Sequence, residues 1–222
     1  MIERRIGAFG GTFDPIHNGH LQVAREVARI FKLDRMLLIP AHRPPHKDAR
    51  AISDAYHRYA MAVVATLNEP ALLVSAVELE APDKPYTFET IERLKSLYGN
   101  DVELFFVMGA DSFREVDTWR EPVRVLEGAN WIVVTRPGHV IGLSHLAERL
   151  RTRVIDLRGV EEPRLEDIST PEGRSSIFLT DSVSEDISST AIRWRVKEGR
   201  GAAGMVPEAV ATFIERYGLY RQ

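Results

Sequence analysis

The stretch Gly10-Gly11-Thr12-Phe13-Asp14-Pro15-Ile16-His17-Asn18-Gly19-His20-Leu21 constrains this chain more than any other. Before it lies Ile6-Gly7-Ala8-Phe9, a short apolar run suited to a buried strand. After it, Leu21, Val23, Ala24, Val27, Ala28, Ile30 and Phe31 recur at helical spacing. A strand therefore runs into a glycine-rich turn, and the turn opens a helix. Such a junction gathers main-chain N–H groups and the positive end of the helix dipole at the strand's carboxyl end, which suits a phosphate. Gly10 and Gly11 let a bulky anion approach the main chain without interference from a Cβ. His20 falls in the first helical turn and His17 just outside it. Two imidazoles placed there suit charge that builds up on a transferring phosphoryl group. A lone histidine would be read as incidental surface, but H-x-G-H directly after G-G-T-F-D-P is not.

The rest of the chain sets broad limits. Its 222 residues fit one domain of good size. A net charge of −3 gives no general attraction to nucleic acid or to an anionic membrane. Without cysteine there is neither a disulfide framework nor a thiolate metal site. The first residues lack the apolar core of a signal peptide, and no run is long enough to cross a bilayer. The expectation is a cytoplasmic protein. There is no internal repeat and no low-complexity segment.

Further strands are expected at 35–40, 71–74, 102–108, 129–135, 154–157 and 176–180, from their short apolar runs. Helical patterns fill 53–67, with Ser53 as N-cap and Tyr56, Tyr59, Ala60, Val63, Val64 and Leu67 as the core face. Others run from Thr87 (a candidate N-cap) to about Tyr98, over 121–126 and over 141–150, and a last one ends at Gly218. The stretch 158–174 reads as a surface loop. Strands alternating with helices imply an α/β fold, Rossmann-like, with a parallel twisted sheet and helices on both faces. Residues 1–186 form the core, and 187–222 form a small C-terminal helical part of the same unit.

Several loops carry polar groups to the carboxyl ends of strands, where open α/β sheets bind ligands. Arg43, His46 and Lys47 follow the second strand, and Asp111 follows Gly109 after the fourth. Trp119, among charged neighbours, suits a partly open aromatic platform. Arg136 either reaches a ligand or caps the sheet. Ile187-Ser188-Ser189-Thr190-Ala191-Ile192-Arg193 places small hydroxyl residues at another helix start.

G-G-T-F-D-P-I-H-N-G-H together with I-S-S-T-x-I-R resembles the paired signatures of the H-x-G-H nucleotidyltransferases. In detail the chain is most similar to bacterial nicotinate mononucleotide adenylyltransferases, through P-P-H-K, Y-T-x-x-T, G-x-D, W-x and R-P-G as well. The resemblance implies transfer of the adenylyl group of ATP to nicotinate mononucleotide, releasing pyrophosphate. It implies catalysis by His17, His20, Lys47 and Arg193. ATP would meet Gly10, Gly11, Thr12, Phe13, His17, His20, Gly109, Asp111, Ile187, Ser188, Ser189, Thr190 and Arg193. Nicotinate mononucleotide would meet Lys47, Tyr86, Thr87, Trp119 and Arg136, its carboxylate lying on amides of the Y-T-x-x-T turn. Mg²⁺ would come with ATP, held mainly by phosphates and water. Nucleic-acid and membrane partners are not expected, and a homo-oligomer is left open. The chain departs from the family at His139, where an aromatic is common, and at Gly201-Ala202-Ala203-Gly204. The alternatives are a sister enzyme acting on nicotinamide mononucleotide or phosphopantetheine, an aminoacyl-tRNA synthetase relative, and a non-catalytic nucleotide-binding module. The doubled glycine, the first histidine and Trp119 argue against a phosphopantetheine enzyme. Length, net charge and the lack of a K-M-S-K-S loop argue against a synthetase relative. The full set of polar residues argues against a dead site.

Overall fold

The computed structural model describes residues 5–42, 52–81, 83, 86–99, 101–135, 141–170, 174–181 and 187–221. Seven strands form one sheet: β1 (Arg5–Gly11), β2 (Arg35–Pro40), β3 (Leu72–Val74), β4 (Glu103–Gly109), β5 (Asn130–Val134), β6 (Val154–Asp156) and β7 (Ile177–Thr180). Every pairing is parallel, in the order β3-β2-β1-β4-β5-β7-β6. The helices are α1 (Asn18–Ile30), α2 (Ala55–Thr66), α3 (Thr87–Tyr98), α4 (Ala110–Arg114), α5 (Pro122–Gly128), α6 (Glu148–Arg151), α7 (Ser189–Lys197) and α8 (Glu208–Tyr217). This is the expected Rossmann-like α/β arrangement. No helix among the described residues is long and apolar enough to cross a membrane.

Alternation along the strands divides the interior into two layers, because successive side chains leave a strand on opposite faces. Phe105 and Val107 of β4, Ile132 of β5 and Phe178 of β7 join α1, α2, α7 and α8 in one buried cluster. Leu104, Phe106, Met108, Trp131, Val133, Ile177 and Leu179 join α3, α4 and α5 in the other. Ile192 of α7 and Val210 and Ile214 of α8 lie in the same cluster as α1, so the C-terminal helices share its core.

The strand order reverses between β1 and β4, and ligands of open parallel sheets bind in the crevice at such a switch point. Register brings Gly11 beside Pro40 and Gly109 beside Val134, so these carboxyl ends rim one edge.

Three local expectations are corrected. The N-cap of α2 is Asp54, whose Oδ1 accepts from the Tyr56 N–H at 2.8 Å, and not Ser53. The buried face of α2 is Ala55, Arg58, Met61, Ala62, Ala65 and Thr66, while Tyr56 and Leu67 are exposed. The apolar residues suggested a face rotated from the true one, because Arg58 occupies a core position. Over 141–150 only Glu148–Arg151 begins a helix. Gly142 weakens the earlier part, and Arg151 donates to the carbonyls of Leu146 and Ser144, which holds a turn there instead.

The stretch after β6 is irregular as expected, but it is pinned to the sheet. Ile168 is fully buried and its carbonyl accepts from Arg5 Nη2 at 2.7 Å. Thr170 Oγ1 donates to Glu103 at 2.6 Å. Both anchors lie at the amino ends of β1 and β4, opposite the glycine-rich turn.

Candidate active site

The turn between β1 and α1 is built from the inside. Phe13 adopts a left-handed conformation (φ 49°) and its ring is buried, edge-on to Phe9 and His20. A Cβ on Gly11 would come within 2.8 Å of that ring. The glycine is thus required by a neighbouring side chain before any ligand is considered, which refines the sequence argument. At Gly10 an added Cβ would meet Phe106 at an ordinary 3.5 Å.

His17 is the N-cap of α1 and His20 its third helical residue. Each ring caps the other's main chain. His17 Nδ1 accepts from the His20 N–H at 3.3 Å, and His20 Nδ1 accepts from the His17 N–H at 3.3 Å. The rings stack with centroids 3.6 Å apart. This is a capping box made of two imidazoles instead of a hydroxyl and a carboxylate. A nitrogen that accepts carries no proton, so the neutral His17 ring bears its hydrogen on Nε2. Burial pushes the His17 pKa down to about 4, so His17 is neutral near pH 7 and acts as a hydrogen-bond donor, not as a cation.

A buried polar network holds the turn. The Asp14 carboxylate, 2% exposed, accepts from the Tyr220 hydroxyl at 2.7 Å and from the Ser53 N–H at 3.2 Å. Arg58, 1% exposed, donates to the carbonyls of Ser53 (3.0 Å), Thr12 (2.8 Å) and His42 (3.2 Å). Burial lowers the Arg58 pKa, and the Asp14 carboxylate opposes that shift. Burial first, and then Asp14, hold the Tyr220 hydroxyl well above its ordinary value, so it remains a donor.

The second signature docks onto the first. Ser188 caps α7, its Oγ accepting from the Ala191 N–H at 3.1 Å. Ser189 Oγ donates to the Pro15 carbonyl at 3.0 Å. Arg193 donates from Nη1 to the Asp14 carbonyl at 2.7 Å and from Nη2 to Thr190 Oγ1 at 3.3 Å. The structure therefore brings Gly10, Gly11, Thr12, Phe13, His17, His20, Ser188, Ser189, Thr190 and Arg193 together, with Ile187 packed against the core beside them. Gly109 ends β4 across the switch point, and an added Cβ there would meet nothing within 4 Å. Asp111 lies in the first turn of α4, exposed, paired with Arg114 at 3.2 Å; Gly109 holds the cap position that Asp111 could have filled.

The remaining candidates lie at the start of α3. Its N-cap is Tyr86 and not Thr87, which is the first helical residue. Glu89 accepts from the Tyr86 N–H at 3.3 Å. Arg120 lies 5.3 Å from the Tyr86 ring, so the segment carrying Trp119 neighbours this helix start. Trp119 is half-buried, edge-on to Trp131 at 6.5 Å. Lys47 and Arg136, with Arg43, His46 and His139, lie outside the described residues.

The sequence reading passed over Arg58, Asp14, Tyr220 and Glu78. Only Arg58 left a signal, an arginine at i+3 from Ala55 and i−3 from Met61 on an otherwise apolar helical stripe.

The profile of the Cytidylyltransferase-like family matches residues 8–195. A probable nicotinate-nucleotide adenylyltransferase of Thermoanaerobacter sp. (strain X514) is 37% identical over 99% of this chain and 96% of its own length. The chain belongs to the nicotinate-nucleotide adenylyltransferase family. A second relative with that name, from Thermus thermophilus, is 40% identical over 98% of this chain and 100% of its own length. Among solved structures, a Plasmodium falciparum nicotinic acid mononucleotide adenylyltransferase complexed with NaAD has the same fold. Its TM-score is 0.71 at 17% identity, over 98% of this chain and 97% of that one.

Proposed function

We propose that this protein transfers the adenylyl group of ATP to nicotinate mononucleotide, giving nicotinate adenine dinucleotide and pyrophosphate. The observation that carries the reading is the mutually capped imidazole pair at the start of α1, set beside the strand-order reversal where open parallel sheets bind ligands. A 5′-phosphate oxygen of nicotinate mononucleotide attacks the α-phosphorus of ATP in line. The bond from that phosphorus to the bridging oxygen breaks, and pyrophosphate leaves with the electron pair. The attacking oxygen is already ionised, so no protein nucleophile is needed. Catalysis is positioning and stabilisation of developing charge.

His17 and His20 serve the α-phosphate and its transition state. The amides of 10–13 line the approach. Ser189, Thr190 and Arg193, with Ile187 and Ser188 shaping the turn, hold the leaving pyrophosphate, so the C-terminal helices carry the second phosphate site within the same unit as the core. Gly109 and Asp111 face the nucleoside of ATP. The first-turn amides of α3 at Thr87 receive the nicotinate carboxylate, since helix geometry leaves them without intrahelical acceptors. Tyr86 and Trp119 flank the pyridine. Lys47 and Arg136 supply cations to the phosphates. Mg²⁺ would arrive on the triphosphate of ATP and be held there by phosphate and water. These assignments place the protein in NAD biosynthesis.

The test is pyrophosphate release with ATP and Mg²⁺, comparing nicotinate mononucleotide, nicotinamide mononucleotide and phosphopantetheine. Strong preference for the nicotinate form is expected. Equal use of the two pyridine nucleotides removes the carboxylate site at Thr87. Release with phosphopantetheine alone, or with none, overturns the substrate assignment.

A further inference from the structure

Glu78 lies in the turn after β3, and nothing in the reaction scheme above uses it. Its Oε1 accepts from Thr90 Oγ1 at 3.0 Å, and its carboxylate also accepts from the His42 main-chain N–H. Thr90 is 2% exposed and belongs to the first turns of α3. His42 begins the loop that leaves β2. Its carbonyl accepts from Arg58, which also holds the Thr12 carbonyl of the glycine-rich turn. A continuous line of partly buried hydrogen bonds thus runs from Thr12 through Arg58, His42 and Glu78 to Thr90. One end is the turn that carries the imidazole pair. The other is the helix start assigned above to the pyridine nucleotide.

We propose that Glu78 is a positioning residue that sets the start of α3 against the phosphate-binding turn, and so tunes affinity for the pyridine nucleotide. The proposal rests on the assignment of that helix start to nicotinate mononucleotide. Glu78 reaches no reacting atom and acts through Thr90 and His42. The hydrogen bonds from Thr90 and His42 favour the ionised carboxyl, but burial opposes its charge more strongly, so protonation of Glu78 stabilises the junction. Burial pushes its pKa up to about 7, against the opposing pull of Thr90, His42, Arg58 and Arg93. The charged groups that face it are therefore Arg58 on α2 and Arg93 on α3. Arg93 is itself held by the Val77 carbonyl and by Glu80. The His42 imidazole belongs to the same junction, and its Nδ1 is buried without a hydrogen-bond partner among the described residues.

The experiment compares the wild type with Glu78→Ala, Glu78→Gln, Thr90→Val and His42→Asn from pH 5.5 to 8.5. Two readouts are taken: steady-state kinetics with each substrate varied, and amide hydrogen exchange at His42 and at 87–90. In the wild type, KM for nicotinate mononucleotide should rise as pH rises through about 7. At pH 6, Glu78→Ala and Thr90→Val should raise that KM by about tenfold, the scale of one buried polar group left without its partner. KM for ATP should stay within about twofold, because no ATP contact is touched. Glu78→Gln, which keeps an accepting oxygen, should recover most of the loss and abolish the inflection. His42→Asn keeps the main-chain donor and should retain the inflection. Protection at His42 and 87–90 should follow the same order.

An inflection that disappears with His42→Asn, or a Glu78→Ala variant with unchanged KM and unchanged exchange, overturns the proposal. If the wild type does not use nicotinate mononucleotide, the substrate reading has failed separately. The exchange data then decide alone: protection at 87–90 that ignores Glu78 overturns the link, and protection that follows it upholds the link.

Discussion

The N-termini of α1 and α7 both face the phosphate-binding turn, and they are built on different principles. At α1 the capping groups are His17 and His20, stacked and largely buried, and they are the groups assigned to the reacting phosphate. At α7 the cap is the exposed Ser188, while Ser189, Thr190 and Arg193 are the groups assigned to the leaving pyrophosphate. The first site merges holding the helix and doing the chemistry in one pair of side chains. The second divides them among neighbours. Substitutions at α1 should therefore move stability and turnover together, and those at α7 should separate them.

The largest expected effect lies beneath the α1 turn. Arg58→Met leaves three partly buried carbonyls without their donor and removes the cation beside the Asp14 carboxylate, and should cost about 3–5 kcal/mol in urea unfolding. A loss under about 1 kcal/mol would mean that Asp14 and Tyr220 hold the turn without it. Next, His20→Ala should lower turnover by roughly 10²–10³, the cost of one preorganised donor to developing charge. His20→Gln, a regular capping-box residue at that position, should keep stability within about 0.5 kcal/mol while turnover stays at least about tenfold down. Equal loss of both quantities in the two variants would confirm that cap and chemistry cannot be parted at α1; full turnover in either removes His20 from the mechanism.

The pH dependence of folding sharpens the same contrast. The folded-state pKa of His17 is depressed from 6.5 to about 4, so the unfolded chain binds more protons in that interval. Its contribution is present above pH 6.5 and is lost as pH falls through about 4, a change of about 3 kcal/mol. Glu78 has the opposite sign, raised from 4.5 to about 7, so its contribution is present below 4.5 and is lost as pH rises through about 7. Urea unfolding of the wild type against His17→Gln, from pH 7.5 to 3.5, isolates the first term. A stability difference that does not change over that range would contradict a buried neutral His17. The smallest effect is expected at α7, where Ser188→Ala removes one exposed cap and should cost about 1 kcal/mol with turnover within about threefold.

Much of the architecture is legible in local pattern. The apolar runs of β1, β4 and β5 and the glycine-rich turn are short-range signals, and so is Gly218, which ends α8 in a left-handed conformation (φ 62°). The two signatures could be seen to favour phosphate because a helix start offers amides whatever surrounds it. The errors have different causes. The buried face of α2 depends on which side chains distant elements cover, whereas the missing helix over 141–147 follows from Gly142 and from Arg151 holding the carbonyls of Leu146 and Ser144. Arg58 is buried because the carbonyls of Thr12, His42 and Ser53 converge on it; its place on the stripe of α2 was legible, and those partners were not.

The sequence by itself determined the strand–turn–helix unit, the parallel class of the sheet and the residue types brought to the site, since these follow from spacing and backbone chemistry within a few residues. Only the tertiary structure decided that His17 and His20 cap each other through Nδ1, and that Tyr220, 206 residues away from Asp14, closes the turn. It also decided that Glu78 joins the loop after β2 to α3. The reason is that protonation state and hydrogen-bond direction depend on burial and on the groups a fold brings together. Those are properties of distance in space, and spacing along the chain does not carry them.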